Sequence, residues 1–293
     1  MSSPVLRYAA FTDGGRGGNP AGVVLDATGL TEAAMLATAA AVGYSETAFL
    51  VPGAAPGQHT VRYFSPLAEV AFCGHATVAA AVALAERDGP GRLLLATAAG
   101  PVEVTTASGP DGTTATLTSV PATSRPATAA QLDATLAALG WAHADLDPRF
   151  PAAVASAGND HLVLGVRTRA RLRDLHYDFP ALQQLMAAEG WTTVHLFVAD
   201  DPATFSARDP FPPGGVVEDA ATGAAAAAFG GYLRDLGRAP ATGRLTVLQG
   251  ADMGSPSRLL VELVPGSARV RVTGAATRLP ALAPVTRHAA AGR

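Results

Sequence analysis

Two short stretches hold the residues best suited to chemistry. In "AFCGHATVAAAVALAERDG", Cys73, Gly74 and His75 stand at the mouth of a run that carries no charge until Glu86. In "GGVVEDAATGAAAAAFGGYLRDLG", Glu218 and Asp219 precede Thr222, Gly223 and Ala224 and a second Ala-rich run. Thiol, imidazole and carboxylate groups can serve as nucleophile, base or acid. The backbone offers as much as the side chains. The first turn of a helix leaves N–H groups without partners, and glycine at 74 and 223 puts no side chain in their way. Two such heads facing one cleft make a two-sided cradle for an anion. The ligand expected there is a small-molecule carboxylate.

Each of these residues also has a plain structural reading. His75 reads equally as a core histidine bonded to a backbone carbonyl, and Cys73 as a small buried hydrophobe. Glu218 and Asp219 read as an acidic pair that a helix dipole favours. Glu46, in "GYSETAFLV", reads as a charge at a strand edge.

The composition narrows the classes. The 293 residues are 48% hydrophobic and 15% charged, which describes a folded chain with a large core rather than a disordered one. All basic residues are Arg, so a Schiff-base lysine and a phosphate-loop lysine are both excluded. The net charge is −3 and no basic cluster interleaves with aromatics, which argues against nucleic acid. One cysteine makes no internal disulfide and fits a reducing compartment. No signal peptide and no membrane-length apolar run are visible. The expected location is cytoplasmic, with no membrane partner.

The elements that must position the candidate residues follow from periodicity and turn signals. "VLRYAAFT" and "AGVVLDA" read as strands around the Gly-rich turn "DGGRGGNP". Thr31 and Gly43 bracket a capped helix. "SETAFLV", "HTVRYFS", "RLLLATAAG", "PVEVTTA" and "TTATLTSV" read as strands around the apolar helix at about 74–88. The Pro/Thr/Ala-rich stretch Pro121–Pro126 suggests a boundary, giving domains 1–122 and 123–293. The second half offers helices in "TAAQLDATLAALG" and "FPALQQLMAAEG". Its strands are "AAVASAG", "HLVLGV", "TVHLFVA", "RLTVLQG", "SRLLVELV" and "ARVRVTGAAT". Its own apolar helix spans about 223–236. The C-terminal tail is expected to pack back on the first domain.

The two apolar helices resemble each other. Each has a Gly at its head, a small-residue stretch, then Arg-Asp near a closing Gly. A helix apolar on all sides must be covered on all sides. In a β-rich half the cover is a strongly curved sheet. The expected fold is α+β, with two pseudo-repeated domains, each a barrel-like sheet around a central helix. One large α/β sheet with two buried helices remains the alternative on periodicity alone.

Taken together, "FTDGGRGGNPAGVVLD", "SETAFL", "RYFSPLAEVAFCGHATVAAA", "GGVVEDAATGAAAA" and "LQGADMG" resemble the PhzF-like isomerase family of phenazine biosynthesis, which has the diaminopimelate epimerase-like fold. They run in the family's order over nearly the whole chain. The resemblance implies two barrels with the active site between them, and proton shuttling without metal or organic cofactor. It assigns the acid–base role to Glu46, with His75 and Asp219 as companions. Asn19 helps to shape the site, and Cys73, Gly74, Thr222, Gly223 and Ala224 line it. A homodimer suits the family.

Two departures stand out. Ala224 replaces the Ser common after "TG", and Ala220 replaces the Pro common after "ED". The epimerase relatives use a second cysteine where this chain has Thr222, which makes a two-thiol racemase improbable. A one-Cys epimerase or dehydratase using Cys73, and a binder that has lost turnover, stay open as alternatives. A cysteine hydrolase is weaker, lacking a His/Asn partner pattern beyond His75. Thiol alkylation is expected to inactivate a Cys73-dependent enzyme and to spare a carboxylate-dependent one.

Overall fold

The protein is described by a computed structural model that covers residues 4–110 and 112–280. Eight strands occupy the first half: β1 (Leu6–Ala10), β2 (Asn19–Val24), β3 (Thr47–Pro52), β4 (Gln58–Phe64), β5 (Glu69–Val70), β6 (Arg92–Thr97), β7 (Gly100–Gly109) and β8 (Gly112–Thr118). Nine follow: β9 (Thr123–Pro126), β10 (Ala153–Ser156), β11 (Asp160–Gly165), β12 (Trp191–Ala199), β13 (Thr204–Pro210), β14 (Glu218–Asp219), β15 (Arg244–Gln249), β16 (Ser257–Leu263) and β17 (Val270–Arg278). The helices are α1 (Glu32–Val42), α2 (Gly74–Asp88), α3 (Ala129–Leu139), α4 (Arg169–Arg173), α5 (Phe179–Glu189) and α6 (Gly223–Asp235).

Strands β1, β2, β3, β4, β6, β7, β8 and β17 pair in that order, and β17 returns to β1, so the 8-strand barrel is closed. Helix α2 runs through it, buried from His75 to Ala85. Strands β9, β10, β11, β12, β13, β15, β16 and β17 curl in the same way around α6, which is buried from Ala225 to Leu233. The gap between β9 and β17 is narrow: the Ala122 N–H donates to the Ala268 carbonyl at 2.8 Å. The small residues work as the periodicity requires. A Cβ added at Gly231 would stand 2.6 Å from the Ala122 Cβ, so only glycine lets the chain approach this closely.

The single-sheet alternative is thus displaced by two wrapped helices. Strand β17 serves both wrappings. It pairs with β16 at Leu260↔Thr273, with β8 at Gly274↔Ala115 and with β1 at Ala9↔Thr277. Residues 281–293, the remainder of the tail expected to pack back, lie outside the described residues.

The outer helices are capped by side chains. Thr31 caps α1, Thr128 forms a capping box with Gln131 on α3, and Asp178 caps α5. Helices α3 and α5 cover the outer face of β11 and β12 with a second core that includes Leu136, Leu182, Met186 and Leu196. Among the described residues, no helix is long and apolar enough to cross a membrane.

Four strands went unread in the sequence: the two-residue β5 and β14, and the longer β9 and β13. The boundary stretch holds β9, which pairs antiparallel with β10. Strand β13 runs through "TFSARDP", whose Arg208 and Asp209 conceal it as a polar loop.

Candidate active site

The heads of α2 and α6 differ from the other helix starts. Cys73 and Thr222 occupy the N-cap positions, and neither gives its helix a side-chain cap. The first intrahelical bonds are donated by the Thr77 N–H to the Cys73 carbonyl and by the Ala226 N–H to the Thr222 carbonyl, both at 3.0 Å. The N–H groups of Gly74 and His75, and of Gly223 and Ala224, therefore have no partner within their helices. Gly74, Gly223 and Ala224 line one cavity of about 290 Å3. The two heads, from opposite halves of the chain, face the same space.

Around the first head, three side chains from two elements converge. Glu46, just before β3, places Oε2 3.3 Å from His75 Nε2. The Cys73 thiol donates to the same Oε2 at 3.6 Å, and Sγ lies 3.3 Å from His75 Nδ1. Ser45 Oγ, which the sequence did not single out, also meets His75 Nε2 at 3.3 Å. His75 and Cys73 are buried and Glu46 nearly so. Burial and the neighbouring Glu46 carboxylate push the Cys73 thiol well above its ordinary range. The plain reading of His75 as bonded to a backbone carbonyl does not hold: its ring partners are side chains.

Around the second head, Asp219 is held from three directions. Asn19 Nδ2 donates to its Oδ1 at 2.7 Å and the Thr222 hydroxyl to its Oδ2 at 2.6 Å. Gln249, on β15, donates from Nε2 to the Asp219 carbonyl at 2.7 Å and accepts from the Thr222 N–H at 3.1 Å. The Asn19 bond joins the two halves directly. It is delivered by the Gly-rich turn, where Gly18 adopts φ 82° and an added Cβ would stand 2.6 Å from the Ala10 carbonyl oxygen. Asp219 is not fully buried as a residue, but its carboxyl is surrounded by protein. Burial raises its pKa to about 6, against the opposing pull of His75 and the Thr222 hydroxyl. The carboxylates of Asp209 and Glu46 push in the same direction as burial.

The acidic pair is divided between tasks. Glu218 belongs to a buried ion pair with Arg208, whose Nε donates to Oε1 at 3.0 Å, while Asp219 faces the site. Both lie on β14, paired with β13, rather than in a helix's first turn. Gln249 was not singled out in the sequence, although "LQGADMG" contains it. Phe11 was missed altogether. It is the one non-glycine residue at positive φ, 61°, among the described residues. Its ring lines the cavity and stands 3.3 Å from where a Cβ on Gly223 would be.

The cavity wall continues through Phe72, Val102, Leu117 and Val272 to Asn159 and Arg269. Glu46, His75 and Asp219 are not in that wall. It adjoins them through the two helix heads. A Cβ built on Gly74 meets nothing within 4 Å. The fold does not need glycine there, but access to the N–H groups does. Gly74→Ala is therefore expected to keep or slightly raise the melting temperature while raising KM about tenfold or more. Unchanged KM, read in steady-state kinetics, would remove Gly74 from the ligand site.

The chain is similar to known proteins over nearly its whole length. The sequence model of the phenazine biosynthesis-like protein family, PhzC-PhzF, matches residues 8–280. An uncharacterized isomerase of Deinococcus radiodurans is 35% identical over 92% of this chain and 90% of its own. A trans-2,3-dihydro-3-hydroxyanthranilate isomerase of Pseudomonas chlororaphis is 30% identical over 90% of this chain and 93% of its own. The solved structure of a predicted epimerase from Pseudomonas aeruginosa superposes with a TM-score of 0.83 at 28% identity, covering 95% of this chain and 98% of that one.

Proposed function

Since the chain belongs to the phenazine biosynthesis-like (PhzC-PhzF) family and is an isomerase, we propose that it moves a proton on a small unsaturated carboxylate, with its own side chains as the acid–base groups and no cofactor. The single observation that carries this reading is the meeting of two uncapped helix heads on one cavity, with Glu46 and His75 beside one head and Asp219 beside the other. The N–H groups at the heads bind the substrate carboxylate. Glu46 removes a proton from carbon and the electron pair spreads into the conjugated system. Glu46, now the acid, returns the proton at a second carbon, so nothing is consumed. His75, in contact with Glu46, and Asp219, held by Asn19 and Thr222, donate or accept hydrogen bonds as charge moves over the conjugated system. A cavity of about 290 Å3 suits a compact substrate.

Solvent deuterium tests the reading. A panel of cyclic and linear unsaturated carboxylates is incubated with the enzyme in heavy water. Incorporation into one of them, with isomerisation, supports proton transfer. Binding without any incorporation replaces the reading with that of a binder.

Ala224 bears on the substrate. It lines the cavity next to Gly223, where the resemblance leads one to expect a Ser hydroxyl. Ala224→Ser is expected to shift kcat/KM toward hydroxylated substrates by up to about tenfold, the worth of one neutral hydrogen bond. An unchanged ranking across the panel would detach this position from specificity.

A thiol-dependent epimerase or dehydratase is less well supported. The Cys73 thiol is pushed up, away from the thiolate, and Thr222 spends its hydroxyl on Asp219. Alkylation does not separate the two mechanisms, because an adduct on Sγ would sit within 3.6 Å of Glu46. Cys73→Ala does. It is expected to retain proton exchange within about tenfold and to cost about 1 kcal/mol of stability through the smaller side chain. Activity that vanishes in a folded protein would move the chemistry to sulfur.

A further inference from the structure

A chain of buried polar side chains crosses the second sheet and ends opposite Asp219. His161 on β11 stands beside Thr193 on β12, and its Nδ1 lies 2.8 Å from Thr193 Oγ1. The Thr193 hydroxyl donates to Oδ1 of Asp209, on β13, at 3.3 Å, and His195 Nδ1 meets the same oxygen at 3.0 Å. Asp209 in turn stands directly across β13 and β14 from Asp219. His161, Thr193, His195 and Asp209 are wholly buried, and the proton transfer described above uses none of them. We infer that Asp209, oriented by His195 and Thr193, is a positioning residue for Asp219: its carboxylate, fixed across the strands, governs when Asp219 carries charge. The inference rests on the reading of Asp219 as a companion of the acid–base group.

The hydrogens in this chain all run toward Asp209. Burial pushes the His161 ring down to about 3, so it is neutral and carries one N–H. Among the described residues its Nε2 has no partner, which places that hydrogen on Nδ1. Nδ1 then donates to Thr193 and leaves the Thr193 hydrogen to Asp209. His195 Nε2 is likewise without a partner, and its ring packs on Phe229 of α6 with centroids 4.9 Å apart. Its hydrogen is therefore also on Nδ1. Asp209 Oδ1 receives two hydrogen bonds, which favours the carboxylate over the acid. Residues directly opposite in an antiparallel pair share a face, with Cβ atoms about 4.5–5.5 Å apart, and like charges there repel. A buried Oδ2 without a partner adds to the cost of keeping Asp209. The return is at Asp219. Burial is the main reason that Asp219 holds its proton to about pH 6; His75 and the Thr222 hydroxyl oppose this, and Asp209 and Glu46 reinforce it. The other carboxylate that Asp209 influences is Glu218 on β14, and Arg208 matches that one. A carboxylate that titrates near the working pH is a stronger base and hydrogen-bond acceptor than one at the ordinary 3.8.

The test follows Asp219 directly, without a substrate. The full chain is labelled with carbon-13 at the aspartate carboxyl groups and titrated by NMR, with Asp219→Asn assigning the signal. The wild-type midpoint is expected near 6. Asp209→Asn keeps the shape and an oxygen for His195 and Thr193, and is expected to lower the midpoint by about half a unit or more, the effect of withdrawing one like charge from a buried neighbour. His195→Phe should lower it too, because Asp209 then loses a donor and takes up a proton, and the double variant should add nothing. His195→Asn, whose NH2 stands in for Nδ1–H, should restore the wild-type midpoint. Circular dichroism shows which variants fold, and Thr193→Val, a smaller step in the same direction, serves if Asp209→Asn does not. A folded Asp209→Asn or Thr193→Val protein with the wild-type midpoint would overturn the inference and leave the role of Asp219 standing. A wild-type signal that does not titrate near 6 would overturn both.

Discussion

Glu46→Gln is expected to lower turnover by about 10²–10⁴-fold, the range a positioned acid–base group contributes, while leaving the fold intact. The amide has the shape of the carboxylic acid. Both contacts, at 3.6 and 3.3 Å, are made by Oε2, and an NH2 in that place can donate to His75 Nε2 and to the Cys73 sulfur. An amide cannot take a proton from carbon. The helix-head N–H groups are untouched, so substrate affinity should hold within a few-fold. The measurements are kcat, substrate-proton exchange in heavy water, and melting temperature. Turnover within tenfold of wild type, in a variant with normal melting, would remove Glu46 from the chemistry.

The second large effect is at Asp219. Both of its carboxylate oxygens accept hydrogen bonds, from Asn19 and from Thr222, so the ionised form is the one the site is built around. With its pKa near 6, kcat/KM is expected to rise with pH through about 6. The charged groups that set this limb are His75, which favours ionisation, and Asp209 and Glu46, which oppose it. Asp219→Asn should lose about 10²-fold in kcat and flatten that limb, because an amide NH2 would confront one of the two donors. The stability effect has the opposite sense. The folded pKa lies above the ordinary value of 3.8, so the folded state holds this proton more tightly than the unfolded chain does. The contribution is full below pH about 4 and is lost as pH rises through about 6, by at most about 3 kcal/mol. The Asn variant should lack that decline, which thermal melts at pH 4.5 and 7 would compare. An unaltered acid limb in the variant would assign the titration to another group.

Much of the site was legible because its signals are local. Two Ala-rich helices without a polar face had to be wrapped, and a glycine at each head advertised open N–H groups. The resemblance then supplied Glu46, His75 and Asp219, and all three stand beside the two heads. What stayed hidden depends on contacts distant in sequence. The Asn19–Asp219 bond spans 200 residues, and the clamp of Gln249 on Thr222 spans 27. Strand β13 was unreadable because its polar residues find their partners only in the folded chain: Arg208 in Glu218, and Asp209 in the His195 ring at 3.0 Å. Strand β9 lies in a Pro-rich stretch that composition marks as a linker. Local pattern does not record pairing with β10. The strained backbone of Phe11 leaves no mark in composition at all.

Strand β17 sets the order of events during synthesis. The first barrel needs it between β8 and β1, so the oldest part of the chain waits for some of the youngest to emerge from the ribosome. Until then β1 and β8 are open edges, and α2 has a gap in its cover through which apolar residues meet water. Hairpins such as β6–β7 and β7–β8 can form while the chain is still growing. The barrel itself cannot close before the second half is nearly complete. Both halves therefore reach their final state through one late step, the insertion of residues 270–278, and a ribosome stalled before that point holds a nascent chain prone to pair with its neighbours.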